Sequence, residues 1–219
     1  MIDDYHVDHG EGADFYSAGE SRGDGGSGIW ANNRLFVSRN YVNSRVLANG
    51  PIRVMFELDY DAFDVNGAKI SETKRISLDA GSNLDRFQST YKVVSGSPAL
   101  PLQVAAGLKK VNGEQKETGT DRHWIVKWEP VEKRAGMQGL ALVSLPGTFV
   151  QYAENESTSP RYANWLMVLK ADANNSITYY AGFCWDKAGQ NLDTFDAWKK
   201  YVDEFAQGVA SPIEVTVNK

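Results

Sequence analysis

Hydrophobic and polar residues alternate with a period of two through much of the chain. Ile52, Val54, Phe56, Leu58 and Tyr60 fall on one face, and Arg53, Glu57 and Asp59 on the other. That alternation marks a half-buried antiparallel strand. Asn66-Gly67 follows as a hairpin signal. Long strands are predicted over 68–78 and 84–94, on either side of a turn at 79–83. Arg86, Gln88, Thr90 and Lys92 share one face of the second. Shorter apolar runs predict strands at 35–37, 44–47, 102–108, 123–128, 140–145, 165–170 and 177–184. Asn49-Gly50-Pro51, Asn112-Gly113 and Asn174-Asn175 read as turns. The polar stretch 111–121 reads as an exposed loop. Many strands at short spacing predict a mainly β chain, an antiparallel sandwich or barrel spanning 34–190.

The period changes once, near the end. Leu192, Phe195, Trp198, Val202, Phe205 and Val209 recur at three- and four-residue spacing, which predicts one helix within 191–210. Asp193 or Thr194 can cap its start, and Ser211-Pro212 stops it. The helix is expected to cover a sheet edge or an open end of the sandwich. A last strand is expected over 213–217. Residues 1–33 fit neither period. They are rich in Gly, Asp, Glu and His, and read as a long loop. Loops of this length commonly carry function. Phe15, Tyr16 and Trp30 give this one aromatic groups with which to pack.

Composition narrows the function classes. The 219 residues carry a formal net charge of −5, with 42% apolar and 23% charged residues, a normal globular balance. Net acidity argues against a nucleic-acid partner. No apolar run approaches the roughly 18 residues of a spanning helix, so no membrane partner is expected. The single Cys184 excludes an internal disulfide and reads as a buried, inert thiol. The first residues show no basic segment followed by an apolar one, so no signal peptide is read there.

The densest chemistry lies in the first loop. His6, Asp8, His9, Glu11 and Asp14 fall within nine positions and include two of the chain's three histidines. Histidine shuttles protons near neutral pH and ligates metals, and a neighbouring carboxylate can orient it. The bland alternative is a solvated polar loop. The run Gly23-Asp24-Gly25-Gly26-Ser27-Gly28 fits G-x-G-x-x-G, but no strand before it or helix after it is visible. It reads instead as a flexible loop that wraps a ligand, with Arg22 beside it.

A second cluster is cationic. Arg53, Arg75, Arg86 and Lys92 occupy the polar faces of successive predicted strands. Arginine suits a carboxylate or sulfate, because its fork donates two parallel hydrogen bonds. Ordinary cross-strand ion pairs with Glu57, Asp59 and Asp79 explain the same residues at least as well. Glu72 and Lys74 fall on an apolar face, either re-aimed by a bulge or forming a buried pair. Among the tryptophans, Trp185 stands just past a strand and suits stacking on a sugar. His123 reads as structural.

Several blocks resemble a bacterial family, domain of unknown function family 4861. They are Tyr5-His6-Val7-Asp8-His9-Gly10-Glu11-Gly12-Ala13-Asp14-Phe15-Tyr16, 47–53, Glu72–Asn83 with Arg86-Phe87, 180–187, and the 195–212 helix. The resemblance covers nearly the whole chain. It implies a galactose-mutarotase-like β-sandwich, a setting of polysaccharide breakdown, and export to the periplasm. It also implies that this chain corresponds to the C-terminal portion of longer relatives, so association with another chain, including a homo-oligomer, is expected.

The resulting expectation is an enzyme acting on uronic-acid-containing oligosaccharides by β-elimination, as dehydratase or lyase. His6 or His9 would act as base or acid, with Glu11 and Asp14 orienting histidine or a divalent metal. Arg22, Lys74, Arg75, Arg86 and Trp185 would hold the acidic oligosaccharide. His9→Ala should abolish turnover. The alternatives are a non-catalytic carbohydrate-binding module and a glycoside hydrolase using Glu11 and Asp14.

Overall fold

The computed structural model describes residues 5–10, 12, 14, 16–131, 135–155, 162–213 and 215–216. Two antiparallel sheets and one helix make up the fold. The smaller sheet contains β1 (Asp24–Ala31), β2 (Arg34–Phe36), β7 (Gln103–Lys109), β11 (Phe149–Asn155) and β12 (Asn164–Lys170), in the order β11-β12-β7-β1-β2. The larger sheet contains β3 (Asn43–Asn49), β4 (Arg53–Val65), β5 (Ala68–Asp79), β6 (Leu84–Ser95), β8 (Gln115–Thr118), β9 (Trp124–Pro130), β10 (Met137–Ser144) and β13 (Ser176–Trp185). Its order is β3-β4-β5-β6-β13-β10-β9-β8, so β13 joins the β3–β6 meander to the β8–β10 meander.

Strand alternation sorts residues into an inner and an outer face. The inner core pairs Ile70, Tyr91, Ile125, Leu140, Leu142, Ile177 and Tyr179 of the larger sheet with Ile29, Val104, Ala106, Leu108, Met167 and Leu169 of the smaller. The mainly β sandwich expected from the sequence is what forms. The helix α1 (Phe195–Ala210) is capped by Thr194, whose side chain accepts from the Ala197 N–H at 3.2 Å. It does not cover an edge or an open end. Trp198, Val202 and Ala206 lie on the outer face of the larger sheet, against Trp124, Val126, Trp128, Ala141, Val143 and Cys184. The reason is visible in β9, where Trp124, Val126 and Trp128 make the outward face apolar while Ile125, Lys127 and Glu129 face inward. Burial pushes the Cys184 thiol up to about 12, so it stays an inert thiol.

Three further expectations are corrected. The glycine run is no ligand-wrapping loop, because Gly25, Gly26 and Gly28 lie within β1. A Cβ on Gly25, where φ is +86°, would collide with Ala181 Cβ. A Cβ on Gly28 would stand 2.5 Å from Phe36 O. The glycines therefore let β1 sit close to both neighbours. Within the polar stretch 111–121, Gln115–Thr118 pairs with β9 as an edge strand. No strand includes Ile213, Val215 or Thr216, and 214 and 217 lie outside the described residues.

The larger sheet is wider than the smaller one that covers it. On β3–β5 the inward-facing Val46, Val54 and Leu78 are 71%, 42% and 39% exposed. Phe56 and Ile76, the next pair inward, are only part-buried.

An acid-rich end beneath the first loop: candidate functional site

One end of the sandwich gathers ionisable groups. The start of β1, the start of β6, the ends of β9 and β13 and the start of β10 meet there, as the strand registers require. They bring Asp24, Asp85, Glu129, Asp186 and Gln138 to that end. The 5–23 segment runs into β1 at the same place, and Lys109 Nζ donates to its Ser17 carbonyl.

The electrostatics are sharply divided. Lys127 is fully buried and bridges Glu114, at 2.5 Å, and Glu129. Its ammonium also donates to the Lys109 carbonyl. Gln138 Nε2 donates to the other Glu129 oxygen at 2.6 Å. Glu129 is thus held on both carboxylate oxygens, by Lys127 and by Gln138. Asp24 has no such help. Its Oδ1 is sealed from solvent and accepts no hydrogen bond. Burial, then the neighbouring Asp85 and Glu129, push its carboxyl well above the usual carboxylate range, against the pull of Lys127. Burial raises Asp85 as well. Tyr16, at the end of the first loop, has its hydroxyl buried without a partner. Burial and the charges of Glu129, Asp24 and Glu114 hold that phenol firmly neutral. The end therefore combines two carboxyls raised by burial, a third carboxyl tied to a buried lysine, and a phenol raised by burial. Raised carboxyls of this kind suit proton transfer.

The first loop is organised by its own backbone. Gly10 and Gly12 N–H groups donate to Asp8 Oδ1 at 2.8 and 3.0 Å, which lowers the Asp8 carboxyl. His6 Nδ1 lies 2.6 Å from the Asp14 carbonyl oxygen. The Asp14 side chain accepts from Tyr16 N–H, and His9 is exposed. Glu11 lies outside the described residues. Among the described residues no group of three or more His, Cys, Asp or Glu side chains is arranged to hold a metal ion. Lys187 acts electrostatically on Asp8 and lies over the Trp185 ring at 6.0 Å. Trp185 itself is half-buried, with Nε1–H donating to Ala135 O at 3.0 Å. The loop and Trp185 thus belong to the acid-rich end.

The cationic residues do not gather there. Lys74 faces inward as a buried pair with Glu72 at 3.4 Å, which resolves the choice left open by the sequence in favour of the pair. Arg75 and Arg86 face outward, on the opposite side of the same sheet. Arg75 is held by Glu57 at 2.7 Å, and Arg45 holds the second Glu57 oxygen at 2.5 Å. Arg22 lays its Cβ and Cγ over Gly107, and its backbone N–H donates to Asn164 Oδ1 at 2.6 Å. Its aliphatic stem fills the space that a side chain at 107 would take. His123 stacks on Phe149 with ring centroids 3.8 Å apart, a structural placement.

Sequence reasoning missed Asp24, Asp85, Glu129 and Lys127 as site residues. One signal was present: Ile125, Lys127 and Glu129 alternate with Trp124, Val126 and Trp128, so two charges share one face of a strand whose other face is wholly apolar. Asp24 gave no such signal, because its glycine neighbours read as a loop.

The family described as "Domain of unknown function (DUF4861)" matches residues 1–215. A protein of Formosa agariphila named "Uncharacterized protein P7" is 36% identical over 213 residues, covering 97% of this chain and 52% of that relative. The chain therefore spans about half the length of the curated relative it matches.

Proposed function

The chain belongs to the DUF4861 family, and on that premise we propose that it is a carbohydrate-active domain working on uronic-acid-containing oligosaccharides by β-elimination. The observation that carries this reading is Asp85, a half-buried carboxyl raised by burial, beside the sealed Asp24 at the end where the first loop with its two histidines runs into the sheet. β-Elimination needs a base for the proton α to the uronate carboxylate, a neutraliser for the developing enolate, and an acid for the leaving oxygen. Half-buried Asp85, its carboxyl raised by burial, supplies the acid. Exposed His9 supplies the base, while His6 is engaged with the Asp14 carbonyl. Lys187 is the cation for the uronate, and the Trp185 ring beside it offers a stacking face. The C–H bond α to the carboxylate breaks toward His9 and the C=C bond forms. The C–O bond breaks, and the oxygen leaves with the proton of Asp85 as water or a sugar hydroxyl.

The test is ultraviolet absorbance of the new C=C bond on oligosaccharides ended by uronic acid. Turnover is expected with the wild-type chain, and Asp85→Asn is expected to lose at least about a hundredfold, the usual weight of a general acid. Full activity in both Asp85→Asn and His9→Ala would overturn the reading. Affinity without new absorbance in any sample would leave a binding module in its place.

A further inference from the structure

The outer face of the larger sheet holds a groove of about 480 Å³ between the strands and the helix. Its floor is Met55, Ser77, Arg86 and Tyr180, which follow from the registers of β4, β5, β6 and β13. Phe205 of α1 forms one wall, meeting Tyr180 edge to face at 5.0 Å. The volume suits a single sugar-sized ligand.

The charges around the groove are unequal. Arg53 and Asp79 are locked together by two hydrogen bonds, of 2.5 and 2.7 Å. Further out, Arg45 and Arg75 are spent on Glu57, and Arg45 also on Asp59. Arg86 is different. Its guanidinium meets only the neutral Gln88 Oε1, at 3.2 Å, and forms no ion pair among the described residues. The lining therefore holds two arginines against one aspartate, in a chain whose net charge is −5. A half-buried guanidinium with unused donors, flanked by a hydroxyl and two aromatic rings, is built to take an anion carried on a ring.

We propose that this groove is a binding site for a carboxylate-bearing sugar ring, separate from the acid-rich end. Arg86 grips the carboxylate, Ser77 lies beside it on the floor, and the Tyr180 and Phe205 rings cover the apolar ring face. None of the described residues of the first loop lines it. The assignment stands whether or not the domain catalyses elimination.

Titration of the full chain with D-glucuronate, followed by calorimetry and amide NMR shifts, tests this. Wild-type protein is expected to bind glucuronate, with shifts centred on Ser77, Arg86 and Tyr180, and to bind neutral glucose at least about tenfold more weakly. Arg86→Gln should lose about tenfold or more in glucuronate affinity, and Arg86→Lys less, at unchanged melting temperature. Ser77→Val, which crowds the floor and leaves the charge, should also weaken binding. His9→Ala should bind glucuronate as the wild type does, even where it abolishes turnover. Undiminished affinity in Arg86→Gln, equal affinity for glucose, or shifts confined to the acid-rich end would each overturn the site.

Discussion

At the scale of single residues, burial decides what each ionisable group can do. Asp24 is the clearest case. Its folded pKa lies well above the unfolded value of about 3.9, so its contribution to stability is fully present below that value. It is lost as the pH rises through the folded pKa, because folding then requires either a proton or a buried charge. Denaturation across a pH series should show Asp24→Asn gaining on the wild type as the pH is raised from 4 upward. Turnover should fall as the pH rises through the raised pKa of Asp85, where the acid loses its proton. Lys127 works in the opposite sense. Lys127→Met leaves Glu114 and Glu129 facing one another without their shared cation, and should cost about 3–5 kcal/mol in urea denaturation. Adding Glu129→Gln to that variant should restore part of the loss. These roles were only half legible in the sequence. The histidines and Trp185 announced themselves by type and position. Asp24 did not, because its chemistry comes from the strands that close over it.

At the scale of elements, periodicity was readable wherever one face met water. β4, β5, β6 and α1 are such elements, and each matched its pattern to within a few residues. Thr194→Ala should cost the helix about 1 kcal/mol. Trp198→Ala should cost about 3–5 kcal/mol, since its indole fills the space over Gly139 and donates to the Leu140 carbonyl at 3.2 Å. Both are read by thermal or urea denaturation. β1 and β8 were illegible for opposite reasons. β8 is a polar edge strand of four residues, whose pairing partner is its only argument for being extended. β1 carries glycines because its neighbours stand too close for side chains, which is a fact about the neighbours. Gly25→Ala tests this directly. It adds strain at a positive φ to a collision with Ala181, and should lower stability by about 3 kcal/mol.

At the scale of the whole molecule, eight strands are covered by five. The uncovered inner face presents Val46, Val54 and Leu78 to water, near the part-buried Phe56 and Ile76. Such a face is adhesive. Sedimentation over a concentration series should show self-association of the isolated chain, and Val54→Lys, which breaks the patch, should suppress it. Nothing in the alternation of β3–β5 foretold this, because the pattern reports which face is apolar and not what lies against it. The place of β13 carries a consequence for synthesis. Each meander of the larger sheet closes from neighbouring strands, but the two meet only through a strand that begins at Ser176. A ribosome making this chain must therefore complete both halves well before the seam between them emerges. Until then Thr90 and Val143, destined for opposite edges of that strand, stand on bare edges. Between the end of β10 at Ser144 and the emergence of β13 from Ser176, the nascent chain carries two unfinished sheets whose open sides wait for the same ten residues.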